Sequence, residues 1–425
     1  MSASIVSRSD KKITIQVEIP LHSSMLDSEE SILHGVNEVG NLATSEALKQ
    51  FDTDGSPFMI GDMKWYPKGC LPKYYQTPYG EVEIERYVYQ RAGGGATFCP
   101  LEQNARIVIT STPRFAKIVS RKYASMAASQ VLPDLKESNG RAVTRCFIQN
   151  LAEAVGVVAQ VKEEQWNYKT PKLEQAIKTI TLGVDGTCLF MCGEGGREAM
   201  VGTIALYDRE GERLHTIYIG ATPEYGKSSF HERMIREIEE VKKLYPKATY
   251  IGIADGAKDN WSFLEEHTEK QVLDFYHASE YLTKVASVAY PKEKAKREEW
   301  LETRCHQLKH ESGAPKQLLA EMKSLREKGS NEEEEKQLES AITYFGNNQH
   351  LMNYAVHVKK NWPIGSGVTE AACKTVIKQR FCGSSMKWKE KGASIVLSLR
   401  VLVLTEGRWE QFWSKLNQFG FPVAA

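Results

Sequence analysis

Three acidic residues stand in surroundings that suit metal-assisted chemistry. Asp185 lies in the run LGVDGT (182–187), Asp255 in IGIADG (251–256) and Glu370 in IGSGVTE (364–370). A carboxylate among isoleucines and valines is costly unless it is paired or binds a metal. Glycines beside Asp185 and Asp255 leave room for a phosphate backbone to come close. Cutting a phosphodiester with water or a 3′-hydroxyl needs in-line attack, and both the attacking and the leaving oxygen gain charge. Two Mg²⁺ ions about 3.5–4 Å apart stabilise both oxygens. Mg²⁺ takes hard carboxylate oxygens and keeps some of its waters. Taken singly, an Asp before a Gly at a strand end is more often a turn residue. The three acids are informative together, because one topology accommodates them in this order.

That topology follows from the pattern around them. Residues 177–190 read as a β-branched strand carrying Asp185, and residues 200–207 and 214–220 as two more strands joined by a turn at 208–212. Residues 228–244 form an amphipathic helix with Phe230, Met234, Ile235, Ile238, Val241 and Leu244 on one side. A fourth strand at 248–254 ends at Asp255, and a fifth is expected at 271–277. Residues 278 to about 355 are helical and highly charged. A further helix, 368–380, starts after the turn Gly365-Ser366-Gly367 and carries Glu370, and an apolar helix follows at 393–404. The order β-β-β-α-β-α-β is the layout of a ribonuclease-H-like fold: an α/β (α+β) chain with a mixed sheet and a helical insertion. Its first and fourth strands are parallel neighbours, so their acids project to one end of the sheet, and a helix packed there brings the third.

The N-terminal part differs in texture. Residues 29–50 form a helix with Ile32, Leu33, Val36, Val39, Leu42 and Ala43 at helical spacing. The turn Thr77-Pro78-Tyr79-Gly80 precedes an alternating strand at 81–89, and Gly93, Gly94 and Gly95 break it. Residues 112–161 are helical, with Pro133 as an interruption and Asn139-Gly140 as a turn. They fit a helix-turn-helix DNA reader or a plain helical packing unit. The division expected is 1–60 (polar, one helix), 61–105 (β-hairpin), 106–170 (helical, DNA-binding), 171–277 (first part of the catalytic core), 278–358 (helical insertion) and 359–425 (last part of the core with C-terminal helices).

Net charge is only +1 over 425 residues, so global charge neither favours nor excludes nucleic acid. Its distribution says more. Residues 106–145 carry only Asp134 and Glu137 as acids among many Lys and Arg, and residues 359–400 only Glu370 and Glu390. Such patches suit phosphates, although each also reads as a solvated helix face. The eight cysteines form no CxxC pair, which argues against a disulfide framework and a closed zinc site. The start MSASIVSRSDKK has no apolar signal core, and no run reaches the ~18 apolar residues of a membrane span. A cytoplasmic, nucleoid-associated protein with no membrane partner is expected.

The segments LGVDGT, IADGAKDNW, DFYHASEYL and IGSGVTEAACKTVIKQRF, with MKW and GASIVLSLR beyond, resemble DDE-type insertion-sequence transposases. The resemblance is to the ISKra group, related to the Mutator-like transposases, and covers roughly residues 65–415. It implies that Asp185, Asp255 and Glu370 are a catalytic, metal-binding triad for two Mg²⁺, with Mn²⁺ as a substitute. It also implies cleavage at element ends and strand transfer into target DNA, with double-stranded terminal inverted repeats as partner and a synaptic homodimer or higher assembly. Asp274-Phe275-Tyr276-His277 resembles the C/D(2)H motif of such enzymes, which sets His277 near the DNA; otherwise a lone His there reads as a core histidine. Lys374, Lys378 and Arg380 after Glu370 suit phosphate contacts. In Lys387-Trp388-Lys389 the aromatic suits base stacking or the core. Relatives often carry paired cysteines around a Tyr-Gly-Glu-Val strand. Here Tyr79-Gly80-Glu81-Val82 stands with only Cys70 and Cys99 nearby, so no structural zinc is expected and the hairpin counts as a degenerate zinc ribbon. A nuclease that hydrolyses without joining, and a non-catalytic DNA-binding derivative, are the rival readings.

Overall fold

A strand that alternates apolar and charged residues buries one face, and a strand of apolar residues alone is buried on both. Both kinds occur in this chain, in different places. A computed structural model describes residues 3–9, 11–163, 165–224, 226–327 and 332–421. They divide into two units: Met1–Lys169 with Lys391–Val403 and Gly407–Ala425, and Thr170–Glu390 with Leu404–Glu406. The C-terminal helices, expected with the catalytic core, therefore group with the N-terminal residues.

The first unit opens with an antiparallel pair, β1 (Ala3–Ser9) and β2 (Lys12–Val17), followed by helix α1 (Met25–Lys49). Strands β3 (Phe58–Ile60), β4 (Met63–Gln76) and β5 (Glu81–Arg91) make a three-stranded antiparallel sheet. In β5 the alternation is clear: Glu81, Glu83 and Glu85 face solvent while Val82 and Ile84 are buried. Thr77 closes the turn between β4 and β5, its hydroxyl accepting the N–H groups of Tyr79 and Gly80. Helices α2 (Pro100–Asn104), α3 (Pro113–Ser125), α4 (Ala128–Asn139) and α5 (Arg145–Lys162) follow. Pro133 does not interrupt the chain; it lies inside α4, and the break falls before α4, where Met126 and Ala127 are extended. The hairpin is tied by an ionic cluster. Glu102 Oε1 accepts from Lys73 Nζ and from the Tyr75 hydroxyl, each at 2.7 Å, and Arg86 Nε donates to the same hydroxyl at 2.9 Å.

The second unit is built on one five-stranded sheet. Its strands are β6 (Thr179–Met191), β7 (Gly195–Tyr207), β8 (Arg213–Ala221), β9 (Thr249–Ala254) and β10 (Lys270–Leu273), in the order β10-β9-β6-β7-β8. The first three form an antiparallel meander, β9 pairs parallel with β6, and β10 pairs parallel with β9. Helix α6 (Ser228–Leu244) connects β8 to β9, burying Phe230, Met234, Ile238 and Val241 as its periodicity demands, and α7 (Lys258–His267) connects β9 to β10.

The fifth strand stops four residues earlier than the sequence suggests. Asp274 caps the next helix, α8 (Phe275–Ala289), its Oδ1 accepting the His277 N–H at 2.7 Å. An N-cap aspartate that bonds the amide three residues on starts a helix, and this overrides the β-like look of Val-Leu-Asp-Phe-Tyr. His277 is thus in a first helical turn, not on a strand. Helices α9 (Lys294–His310), α10 (Ala314–Glu327) and α11 (Glu332–Asn348) fill the expected insertion. They share the sheet's core: Leu308, Leu318, Met322, Leu338 and Phe345 belong to one buried cluster with Ile180, Leu182 and Ile253. Helix α12 (Tyr354–Lys359) leads to α13 (Gly367–Ala372), which runs through a π-helical segment, Cys373–Lys378, into α14 (Gln379–Phe381). No helix among the described residues is long and apolar enough to cross a membrane.

Candidate active site

The register of two parallel strands brings the aspartates together. Thr179 pairs with Thr249 and Gly183 with Ile253, a constant offset. The ladder ends there, two residues before Asp185 within β6 and before Asp255 just beyond β9, so both acids lie at the same end of the parallel pairing. Asp185 is half-buried and Asp255 exposed. Asp255 Oδ1 accepts the Ala257 N–H at 3.2 Å, and its carbonyl accepts the Tyr344 hydroxyl from α11 at 3.1 Å. Gly256 has φ +110°, a backbone conformation an L-residue rarely adopts, so the chain turns sharply and leaves Asp255 at the rim.

Glu370 arrives on α13, and two matched rungs set that helix against the sheet. Gly183 and Asp185 lie on one face of β6, two residues apart. Thr369 and Cys373 lie on one face of the helix, four residues apart. At the first rung the Thr369 and Thr203 hydroxyls bond at 2.7 Å in a buried position, and a Cβ on Gly183 would fall 1.9 Å from Thr369 Oγ1. Only glycine lets the helix come this near. At the second rung the Cys373 thiol donates to Asp185 Oδ2 at 3.3 Å, while Asp185 Oδ1 accepts the Gly186 N–H at 2.7 Å.

The result is a cavity of about 700 Å³ into which Asp185, Asp255, His277, Glu370, Lys374 and Lys378 open. Burial pushes the Asp185 carboxyl above the usual range, and the negative charges of Asp255 and Glu370 add to the rise, against the bonds from Cys373 and Gly186. Burial, then the Asp185 charge, pushes the Cys373 thiol far up in turn, so it stays a donor.

Glu370 is exposed, and its Oε1 accepts the Ser366 hydroxyl at 2.6 Å. It stands 3.9 Å from His277 Nδ1, which lies 3.4 Å from Asp274 Oδ1. Asp274 is fully buried and links two segments: Oδ1 accepts the His277 amide, and Oδ2 accepts the Ser366 amide at the start of the Glu370 helix. Among the described residues, the His/Cys/Asp/Glu group whose donor atoms all lie within 4.8 Å of one another is Asp274, His277 and Glu370. Asp185 and Asp255 line the cavity outside that group.

The remaining sequence candidates separate. A regular helix returns to one face every three or four residues. Here Glu370, Lys374 and Lys378 line one cavity at steps of four, and Gln379, just after the π segment, lines it too. Lys374, Lys378 and Lys387 are exposed. Arg380 and Trp388 turn inward. Arg380 is 4 % exposed, with its guanidinium 5.1 Å from the Trp388 ring. The Trp388 indole N–H donates to the Phe381 carbonyl, and its backbone bonds Phe190 and Cys192 at the end of β6. Arg380 is thereby packed away from solvent, while Trp388 is half-buried with its ring against Arg380 and Phe381.

Sequence reasoning missed Cys373, Tyr344, Thr369, Gly183 and Asn260, whose side-chain amide donates to the Val184 carbonyl at 3.3 Å. Asn260 lies inside the quoted run IADGAKDNW and was within reach. The others act across long separations that no local pattern encodes. Fold and site together define a mixed α/β protein with acidic and basic side chains gathered where the parallel pairing of β6 and β9 ends. Compared with known proteins, the chain matches no family model and no curated protein.

Proposed function

We propose that this chain is a metal-dependent enzyme that cuts and joins DNA, a DDE-type transposase on a ribonuclease-H-like sheet. One observation carries the reading. Asp185 and Asp255, at the same end of a parallel strand pair, open into the same cavity as Glu370 from a distant helix. The strand order, an antiparallel meander extended by two parallel strands, supports it.

The donor set fits a hard divalent cation. Asp185, Asp255 and Glu370 offer carboxylate oxygens alone, the type Mg²⁺ and Mn²⁺ take. Burial raises the Asp185 carboxyl and the charges of Asp255 and Glu370 add to it, and a bound cation would relieve both. Two such ions, when bound, lower the cost of charge on the attacking and leaving oxygens. The chain's own residues do the rest. Cys373 holds Asp185 Oδ2, and Tyr344 fixes the backbone of Asp255. Lys374 and Lys378 present charge to the phosphates of the strand being cut. Water attacks at an element end and frees a 3′-hydroxyl, which then attacks target DNA held in the same cavity. Positioning supplies most of the acceleration, without a covalent intermediate. Two ends must be handled together, so the working form is a dimer or larger.

The test uses labelled duplexes carrying the element's terminal repeats, a target plasmid and Mg²⁺. The expected outcome is cleaved ends and joined product. Asp185→Asn is expected to lower cleavage at least about 10³-fold, the scale of several kcal/mol of charge stabilisation, while DNA binding persists. Cleavage without joining would make the chain a nuclease. An unchanged rate in Asp185→Asn would end the catalytic reading.

A further inference from the structure

Glu370 belongs to two sets of donors, and they differ in chemistry. With Asp185 and Asp255 it completes an all-oxygen set. With Asp274 and His277 it completes a set of one imidazole nitrogen and two carboxylates. Nitrogen plus carboxylate donors suit Zn²⁺ and similar borderline ions, whereas Mg²⁺ prefers oxygen alone.

The second set lies close to the spacing of a zinc site, its donor atoms all within 4.8 Å of one another. Donors about 2.0–2.2 Å from a tetrahedral Zn²⁺ stand about 3.3–3.6 Å from one another. Asp274 Oδ1 and His277 Nδ1 are 3.4 Å apart, and His277 Nδ1 and Glu370 Oε1 are 3.9 Å apart. The first pair needs no movement. The second closes with a small rotation of Glu370, whose side chain is 49 % exposed and is held at Oε1 by the Ser366 hydroxyl. His277 Nδ1 is buried and has no hydrogen-bond partner, so its lone pair is available with the proton on Nε2. Asp274 is already oriented. Its oxygens accept the amides of His277 and Ser366, which leaves Oδ1 a further lone pair and supplies the outer bonds that fix a metal-ligating carboxylate. The cavity gives a fourth, open position to water.

We infer that Asp274, His277 and Glu370 form a Zn²⁺ site that draws Glu370 away from Asp185 and Asp255. Zn²⁺ then opposes the Mg²⁺-dependent reaction by taking a shared ligand, and this consequence rests on the function proposed above. The site itself does not, because metal binding is read without DNA.

The experiment is a calorimetric titration of the metal-free full chain with ZnSO₄, repeated on His277→Ala, Glu370→Gln and Asp185→Asn, with Co²⁺ absorption as a probe of coordination. The result expected is one Zn²⁺ per chain, bound at least about tenfold more weakly in His277→Ala and Glu370→Gln and within twofold of the parent in Asp185→Asn. Tetrahedral Co²⁺ bands are expected in the parent and Asp185→Asn only. Glu370 lies at the surface, so Glu370→Gln keeps the test decisive if His277→Ala unfolds. Zn²⁺ affinity unmoved in Glu370→Gln, or lost in Asp185→Asn, would overturn the assignment. Zn²⁺ bound as described by a chain that never cuts DNA would uphold the site and remove the reaction.

Discussion

The β4–β5 hairpin and the end of the β6–β9 sheet both gather charge around a half-buried carboxylate, with opposite results. Burial pushes the Glu102 carboxyl up, but the bonds from Lys73 and Tyr75 and the nearby cations outweigh it and hold it below the usual range. Burial pushes Asp185 up as well, and there the neighbouring charges, Asp255 and Glu370, push the same way. Glu102 is a satisfied anion that holds two strands and a helix together. Asp185 is an anion short of positive charge, facing a cavity. A shifted carboxyl alone marks neither structure nor function. The sign of its neighbours tells which.

Asp185→Asn should break the contrast most visibly. The folded pKa of Asp185 lies above its unfolded value, so its contribution to stability is full below the usual carboxylate range. That contribution is lost as pH rises through the raised value. Near pH 7, and without divalent ions, Asp185→Asn is therefore expected to unfold at a higher temperature, by about 2–4 °C, while losing its catalysis. A lower melting temperature would show Asp185 to be a structural anion like Glu102.

Gly183→Ala tests the brace on the other side of the cavity. Its methyl meets Thr369, so overpacking of about 1–3 kcal/mol is expected in urea unfolding, together with weaker Mn²⁺ binding as α13 shifts. Unchanged Mn²⁺ affinity would separate the helix position from the site.

Glu102→Gln sharpens the structural side. Loss of the charged bonds is expected to cost about 1–3 kcal/mol. Because the folded pKa of Glu102 is depressed, its contribution is present above the usual carboxylate range and fades as pH falls through the lowered value. The variant should therefore lose part of the parent's acid sensitivity between about pH 5 and 3. Melting curves across that window check it.

Tyr344→Phe should have the smallest effect. It removes one hydroxyl from the Asp255 carbonyl and keeps the ring stacked on Tyr281 at 3.9 Å. About 1 kcal/mol of stability and a severalfold weaker Mn²⁺ affinity are expected.

Much of the sheet unit was legible because its strands are rich in apolar and β-branched residues and are separated by turn or helix signals. The run around Asp255 marks the end of β9, whereas Asp185-Gly186 lies within β6, which continues to Met191. Glu370 was legible through the Gly-Ser-Gly turn that starts its helix. What escaped depended on contacts between distant residues. Nothing near Thr369 announces Thr203, which is 166 residues away. Arg380, grouped with Lys374 and Lys378 as a cation after Glu370, lies against the Trp388 ring, a contact that no local pattern marks. At Asp274 a local signal existed, an Asp three residues before a bonded amide, but the apolar run before it favoured a longer strand. In the first unit the β1–β2 hairpin escaped although β2 alternates, with Ile13, Ile15 and Val17 less exposed than Lys12, Thr14 and Gln16, because the alternation is short and none of its residues is fully buried.

The central claim is that Asp185, Asp255 and Glu370 together hold divalent ions. Anomalous diffraction from crystals grown with Mn²⁺ tests it directly. The account expects two peaks about 3.5–4 Å apart, ligated by these three side chains and absent in Asp185→Asn. Mn²⁺ bound elsewhere, or peaks that persist in Asp185→Asn, would contradict it.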